Sequence, residues 1–210
     1  MLYIDKTYFI KKLHVPNTNE PTSDASIELE QSIDFYVSQF LQETLGNLLY
    51  EDLKDNTTDG GLDTDAPQKW KNLLNGCTYT KDGVEYTWKG LRYTEGTYKA
   101  SILANFVYLN HFDAGSNSSL GRITLEAKNS VNLDATPHLV EIWNDFVTMY
   151  QGENTNYKTV TYFDNITFVD YFQGCKKTGY VSYLQFLKDN ETDYPNVPAG
   201  YLEYQNRLGL

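Results

Sequence analysis

Cysteine, methionine and histidine are all scarce in this chain of 210 residues, at two, two and three copies. Cys77 and Cys175 lie far apart and form neither a Cys-x-x-Cys pair nor a Cys/His cluster, which excludes a disulfide-stapled secreted scaffold. His14, His111 and His138 are isolated from one another, so the close pairings that preorganise zinc are missing and no metal is expected. No window approaches the ~20 apolar residues that span a bilayer. Met1 to Lys6 also lacks a basic stretch leading into an apolar run, so a soluble chain made in the cytosol is expected, with no membrane partner. In that setting the sequons at Asn56, Asn117, Asn165 and Asn190 reflect composition alone.

Positive charge is short as well. Lys and Arg number 17 against 28 Asp and Glu, a formal charge of −11, which argues against a surface that grips phosphates. Lys11-Lys12 and Lys176-Lys177 are the only adjacent basic pairs. Enzyme signatures are missing too: there is no phosphate-binding Gly-x-x-x-x-Gly-Lys loop, no dinucleotide fingerprint, no His-Glu-x-x-His and no Gly-x-Ser-x-Gly elbow. Neighbouring carboxylates at Asp52 and Asp55, Asp63 and Asp65, or Asp189, Glu191 and Asp193 suit solvated loops and helix ends better than a glycosidase pair. Asp59 to Asp65 lacks the alternating acids and distal Glu of a calcium loop. A non-enzymatic chain without cofactors is the expectation.

What the chain has in quantity is aromatic surface and helical periodicity. Aromatics make up 15% of the residues and tyrosine alone contributes 18, a composition that favours broad semi-polar contact surfaces. From Ser23 to Asp55, Leu29, Ile33, Val37, Phe40, Leu41, Leu45, Leu48 and Leu49 recur at helical spacing. The pattern predicts one long amphipathic helix with Ser23 or Asp24 as N-cap, and Gly46 inside it suggests close packing against another backbone. Asp65 and Pro67 open a short helix carrying Trp70, Leu73 and Leu74, which Gly76 stops. Alternation around Lys81-Asp82-Gly83 predicts a β-hairpin over 78–88.

Further along, Thr94 to Phe112 is expected to be a second core helix, and Pro137 to Tyr150 a third, with Leu139, Val140, Trp143, Phe146 and Val147 on its apolar face. Leu2 to Asp5 could make a short strand, followed by a helical turn over Lys6 to Leu13. Asp113 to Gly121 is a Gly/Ser/Asn-rich loop, and Arg122 to Lys128 alternates as a strand or extended arm. Tyr157 to Phe172 has strand-like composition, and Val181 to Lys188 makes a short helix. The tail from Tyr194 to Leu210 is too apolar for a solvated end and is expected to dock on this subunit or a neighbour.

Several of these segments, in order, resemble the head-to-tail connector (adaptor, or ring) proteins of tailed phages, especially those of crAss-like and other Bacteroidetes phages. The segments are Leu2-Tyr3-Ile4 with Phe9-Ile10; Leu45-Gly46-Asn47-Leu48-Leu49-Tyr50-Glu51-Asp52-Leu53; Trp88-Lys89-Gly90-Leu91 leading to Asn105-Phe106-Val107-Tyr108; Gly121; Lys128-Asn129-Ser130; and Tyr183 to Leu187 before Tyr194-Pro195. The resemblance implies a mainly helical virion subunit that forms a ring, commonly of twelve copies, between the portal protein and the tail or a neighbouring ring. It also implies that DNA passes through the ring without tight binding, in keeping with an acidic wall.

The expectation is therefore a mainly α fold, one connector-like domain over 1–210: a helical bundle with a β-hairpin and extended arms, α+β by strict count. Leu45, Gly46, Leu49, Trp143 and Phe146 are the candidate core-packing residues. Arg122, Ile123, Leu125 and Lys128 in the arm, and Tyr201, Leu202, Tyr204, Leu208 and Leu210 in the tail, are the candidate subunit or ring contacts. The competing reading is a carbohydrate- or protein-binding accessory module of a phage tail, with Trp70, Tyr79, Tyr86 and Trp88 as its stacking platform.

Overall fold

A computed structural model of the chain describes residues 3–58, 60–116, 136–152, 179–198, 200 and 202–203. Helix α1 spans Asp24–Leu45, where Ser23 Oγ accepts the Ser26 amide at 3.2 Å and fills one of the orphan donors of the first turn. Its buried stripe is Leu29, Ile33, Val37, Phe40, Leu41 and Leu45, each worth about 1.5–3 kcal/mol when removed from water. The helix does not continue to Asp55. Gly46 adopts φ +80°, its amide closes α1 on the Gln42 carbonyl at 3.0 Å, and its own carbonyl accepts the Tyr50 amide at 3.0 Å to start α2, Asn47–Asp55. The expected single helix is thus two. The glycine is required by its backbone conformation rather than by close backbone packing, since a Cβ there would meet only the Pro198 ring at 3.6 Å. The break re-aims the apolar row: Leu49, Tyr50 and Leu53 turn inward, and Leu48, expected in the stripe, turns out.

Before α1, residues 3–5 form a bend rather than the expected strand, followed by 3₁₀ turns at Lys6–Tyr8 and Lys11–Leu13. Tyr3, Ile4, Tyr8, Phe9 and Val15 nevertheless join the core. After α2 come the two-residue strands β1, Thr57–Thr58, and β2, Gly61–Leu62, then α3, Gln68–Asn75. Strands β3, Cys77–Lys81, and β4, Val84–Trp88, pair as predicted, with Tyr79 opposite Tyr86. Asp82 and Gly83 carry the two positive φ angles, 53° and 76°, that a two-residue turn of matching twist demands. The end of α3 is closed by later chain: Leu91 N and Trp88 Nε1 both reach the Leu73 carbonyl, at 3.1 and 3.0 Å, and Arg92 N reaches that of Leu74 at 3.0 Å.

The start of the expected second core helix is a hairpin instead. Tyr93–Glu95 (β5) and Tyr98–Ala100 (β6) pair around Gly96-Thr97, and α4 begins only at Ile102, running Ile102–Ser116. Ser101 sets that boundary, since its hydroxyl accepts the Leu103 and Ala104 amides at 3.1 and 3.4 Å while donating to the Leu91 carbonyl at 2.6 Å. Helix α4 is apolar on nearly every side, as a helix held between two others must be. It packs on α1 along one flank and on α5, Thr136–Gln151, along the other.

Helix α6, Tyr183–Asp189, lies beneath the β3–β4 hairpin. Residues 179–181 run along β4, with the Thr87 amide donating to the Gly179 carbonyl at 2.7 Å and the Val181 amide donating to the Thr87 carbonyl at 3.1 Å. Phe40, Phe106, Phe146, Tyr150, Tyr183, Trp88, Phe186, Tyr194 and Trp70 form a continuous chain of ring contacts through the core. The described architecture is mainly α, with three two-stranded antiparallel sheets, and α+β by strict count.

Candidate interaction surface

Leu45, Leu49 and Phe146 lie in the core, as expected. Trp143 does not sit inside it. The indole is half-buried, packs at a tilt on Phe146 at 5.7 Å and donates through Nε1 to the Glu203 carbonyl at 2.8 Å. The same short stretch is clamped by Gln151, whose side-chain amide donates to the Leu202 carbonyl at 2.9 Å and accepts the Leu202 amide at 2.7 Å. Leu202, expected at a subunit contact, therefore binds its own α5. Tyr201, Tyr204, Leu208 and Leu210 lie outside the described residues, as do Arg122, Ile123, Leu125 and Lys128 and the segment Tyr157 to Phe172.

The proposed stacking platform is not on the surface. Trp70 and Trp88 are buried, with Trp88 stacked on Phe186 at 5.3 Å, and Tyr79 and Tyr86 are half-buried against each other. Every tyrosine among the described residues is buried or half-buried, so these rings pack wholly or partly against the protein's own interior. Most of the buried hydroxyls find partners: Tyr183 with Thr44 Oγ1 at 2.9 Å, Tyr194 with the Lys69 carbonyl at 2.5 Å, Tyr79 with Asp189 Oδ2 at 2.7 Å. Burial pushes Tyr150 up to about 12 and raises Tyr183, Tyr194 and Tyr79 further; at Tyr79 the neighbouring Asp189 carboxylate adds to the effect. All four are held neutral, which removes them as candidate nucleophiles.

Chemistry of other kinds is equally thin. Among the described residues no group of three or more His, Cys, Asp and Glu side chains converges as metal ligands. Burial lowers His111, which shares a 2.8 Å hydrogen bond with Ser32 Oγ, and Glu28 only partly offsets that. Burial likewise raises the Cys77 thiol, away from the reactive thiolate.

Among the described residues four large apolar side chains face water instead: Leu48 at 90% exposure, Phe35 at 66%, Val84 and Ile27. Ile27 and Phe35 share the outer arc of α1, eight residues and hence about 80° apart. Among the described residues the one ring in contact with Phe35 is that of Tyr36, edge-on at 5.1 Å. The sequence carries a signal for Phe35, which falls off the stripe formed by Ile33, Val37 and Leu41, but none for Leu48, which only the break at Gly46 tells from Leu49.

Comparison of the chain with protein-family models, with curated proteins and with solved structures found no match. Among the described residues no helix is long and apolar enough to cross a membrane.

Proposed function

We propose that this chain is a structural virion protein, made in the host cytoplasm and assembled as a ring at the head-tail junction of a tailed phage, where it extends the DNA channel between portal and tail. The observation that carries this reading is the exposure of Leu48, Phe35 and Ile27 on α1 and α2. Covering one such side chain in an interface is worth about 1.5–3 kcal/mol. Copies that each carry −11 repel one another overall, and burial of these apolar side chains offsets that repulsion. The resemblance of the segments around Gly46, Gly90 and Tyr183 to connector subunits supplies the location, and the acidic balance suits a passage that does not retain DNA.

The test is the copy number of this chain on recovered phage particles, by mass measurement, with the wild-type sequence and with Phe35→Glu plus Leu48→Glu. A closed ring is expected for wild type, and the doubly substituted chain is expected to fold but not to incorporate. Particles that lack the chain, or that take up the substituted chain equally, would remove the proposal.

A further inference from the structure

We propose that a second, independent site binds a small amphipathic carboxylate, an organic acid with an aliphatic or aromatic body, in the cavity between the N-terminal 3₁₀ turns, the β5–β6 hairpin, α4 and α5. The cavity measures about 300 Å³, at the lower end of small-molecule sites. Its apolar wall comes from Ile142 and Met149 on one face of α5 and from Ala100, Ile10 and Leu13 opposite. Into that wall are set two uncharged polar side chains: Ser101, whose hydroxyl is taken up by the Leu91 carbonyl and the Leu103 and Ala104 amides, and Asn105, which is more than nine-tenths buried and whose amide nitrogen finds only the Met149 thioether among the described residues, at 3.4 Å. A thioether is a weak acceptor, so the amide retains hydrogen-bonding capacity for a guest.

The mouth is cationic, in a chain that is strongly acidic elsewhere. Of the four charged side chains lining it, three are Lys11, Lys12 and Lys99; the fourth, Asp145, is held by Lys12 at 3.1 Å, which also binds Glu141 at 2.6 Å. Lys99 lies over the Tyr8 ring at 5.0 Å, bonds Thr7 Oγ1 and stands 3.8 Å from Asp5. Lys11 lies over the Tyr98 ring at 4.8 Å, and no carboxylate within ion-pair distance answers it among the described residues. Each of these two rings lines the cavity as well, so each pair presents an apolar wall topped by an ammonium. Lys11 is moreover held at φ +54°, a left-handed conformation that a lysine adopts at a cost and that the fold must impose. A carboxylate head between Lys11 and Lys99, with its body against Ile142 and Met149, uses all of these features together.

Octanoate and octan-1-ol are suitable probes, titrated calorimetrically into the full chain. Octanoate is expected to bind saturably at one site, about ten-fold or more tighter than the alcohol, since a hydrogen bond to a charged group is worth about a factor of ten. Lys11→Gln, an exposed position, is expected to narrow the preference for octanoate over the alcohol several-fold, with Lys99 retaining the remainder. Methyl signals of Ile142 and Met149 should shift on binding. Equal affinity for acid and alcohol, no saturable binding, unchanged affinity in Lys11→Gln, or shifts confined to other methyl groups would each overturn the assignment. None of these outcomes depends on whether the chain forms a ring.

Discussion

Gly76 and Gly90 meet backbone to backbone: a Cβ on Gly90 would stand 2.5 Å from the Gly76 nitrogen, and one on Gly76 would stand 2.5 Å from the Trp88 carbonyl oxygen. Both also hold φ near +90°, at 88° and 91°. The contact joins the end of α3 to the chain leaving β4, and it lets Leu91 and Arg92 reach the last carbonyls of that helix.

Substitution at this crossing is expected to be severe because the obstructing atoms are backbone and cannot rotate away. Gly90→Ala should destabilise by about 3 kcal/mol or more, combining a left-handed alanine at ~1–2 kcal/mol with overpacking at ~1–3 kcal/mol. Gly83→Ala is the matched control, since its φ is also positive, at 76°, but nothing lies within 4 Å of the added carbon. It should cost only the conformational part. Urea denaturation of the two variants measures the difference, and equal costs would show that the crossing relaxes.

Alkali should unfold this protein through its interior tyrosines. Tyr3, Tyr79, Tyr108, Tyr150, Tyr183 and Tyr194 all have raised values, chiefly from burial, against an ordinary 10.0. A group raised on folding contributes stability that is complete below its unfolded value and is lost as pH climbs through the folded one. Denaturation midpoints should therefore hold steady up to about pH 10 and fall beyond it, with Tyr150, near 12, titrating inside the folded protein. Midpoints that stay level past that point would contradict the burial of these hydroxyls.

Asp189 ties the β3–β4 hairpin to α6. Its carboxylate, 6% exposed, accepts from Tyr79 Oη at 2.7 Å and Gln185 Nε2 at 2.7 Å and pairs with Lys81 Nζ at 3.0 Å. Asp189→Ala removes the acceptor of Tyr79 and Gln185 and the ion-pair partner of the half-exposed Lys81 and should cost about 2–3 kcal/mol, while Tyr79→Phe leaves the two bonds to Oδ1 in place and takes only the partner of Oδ2, at about 1–2 kcal/mol. Chemical denaturation separates the two, and a smaller cost for the alanine than for the phenylalanine would mean that water replaces the carboxylate.

Trp143 lies at the surface edge of the core, so its truncation is expected to cost less than the ~3–5 kcal/mol of a fully buried tryptophan. Trp143→Ala should lose about 2 kcal/mol. Trp143→Phe keeps the contact with Phe146 but gives up the bond to the Glu203 carbonyl, at about 1 kcal/mol. In both variants residues 202–203 should become more accessible to hydrogen exchange. Unchanged protection there would show that Gln151 alone holds them.

Local signals were readable where one residue type dictates the backbone. Asp82-Gly83 announced its hairpin, Ser23 its helix cap and Thr136-Pro137 the start of α5. The Gly96-Thr97 hairpin carried the same kind of signal, glycine at φ +59° in the first position of a two-residue turn, but the apolar run that follows masks it as a helix start. Gly46 presents the converse difficulty, because apolar spacing continues across it and only its dihedral angle shows the break. The cavity was illegible in the sequence for a different reason: Lys11, Tyr98, Asn105 and Met149 belong to four elements, and only their packing brings them together.

The hydroxyls of Thr44 and Tyr183 bond to each other across 139 residues of chain, inside the same core. During vectorial synthesis at ~5–20 residues per second, α1 waits roughly 7 to 28 s for that partner to be made. Over that interval Phe40 and Leu41 have no finished pocket to enter, and Phe106, Phe146 and Tyr150 arrive before Tyr183 closes the cluster. The nascent chain consequently carries this cluster unfinished for most of its synthesis. Its commitment to the native state comes late, when α6 emerges.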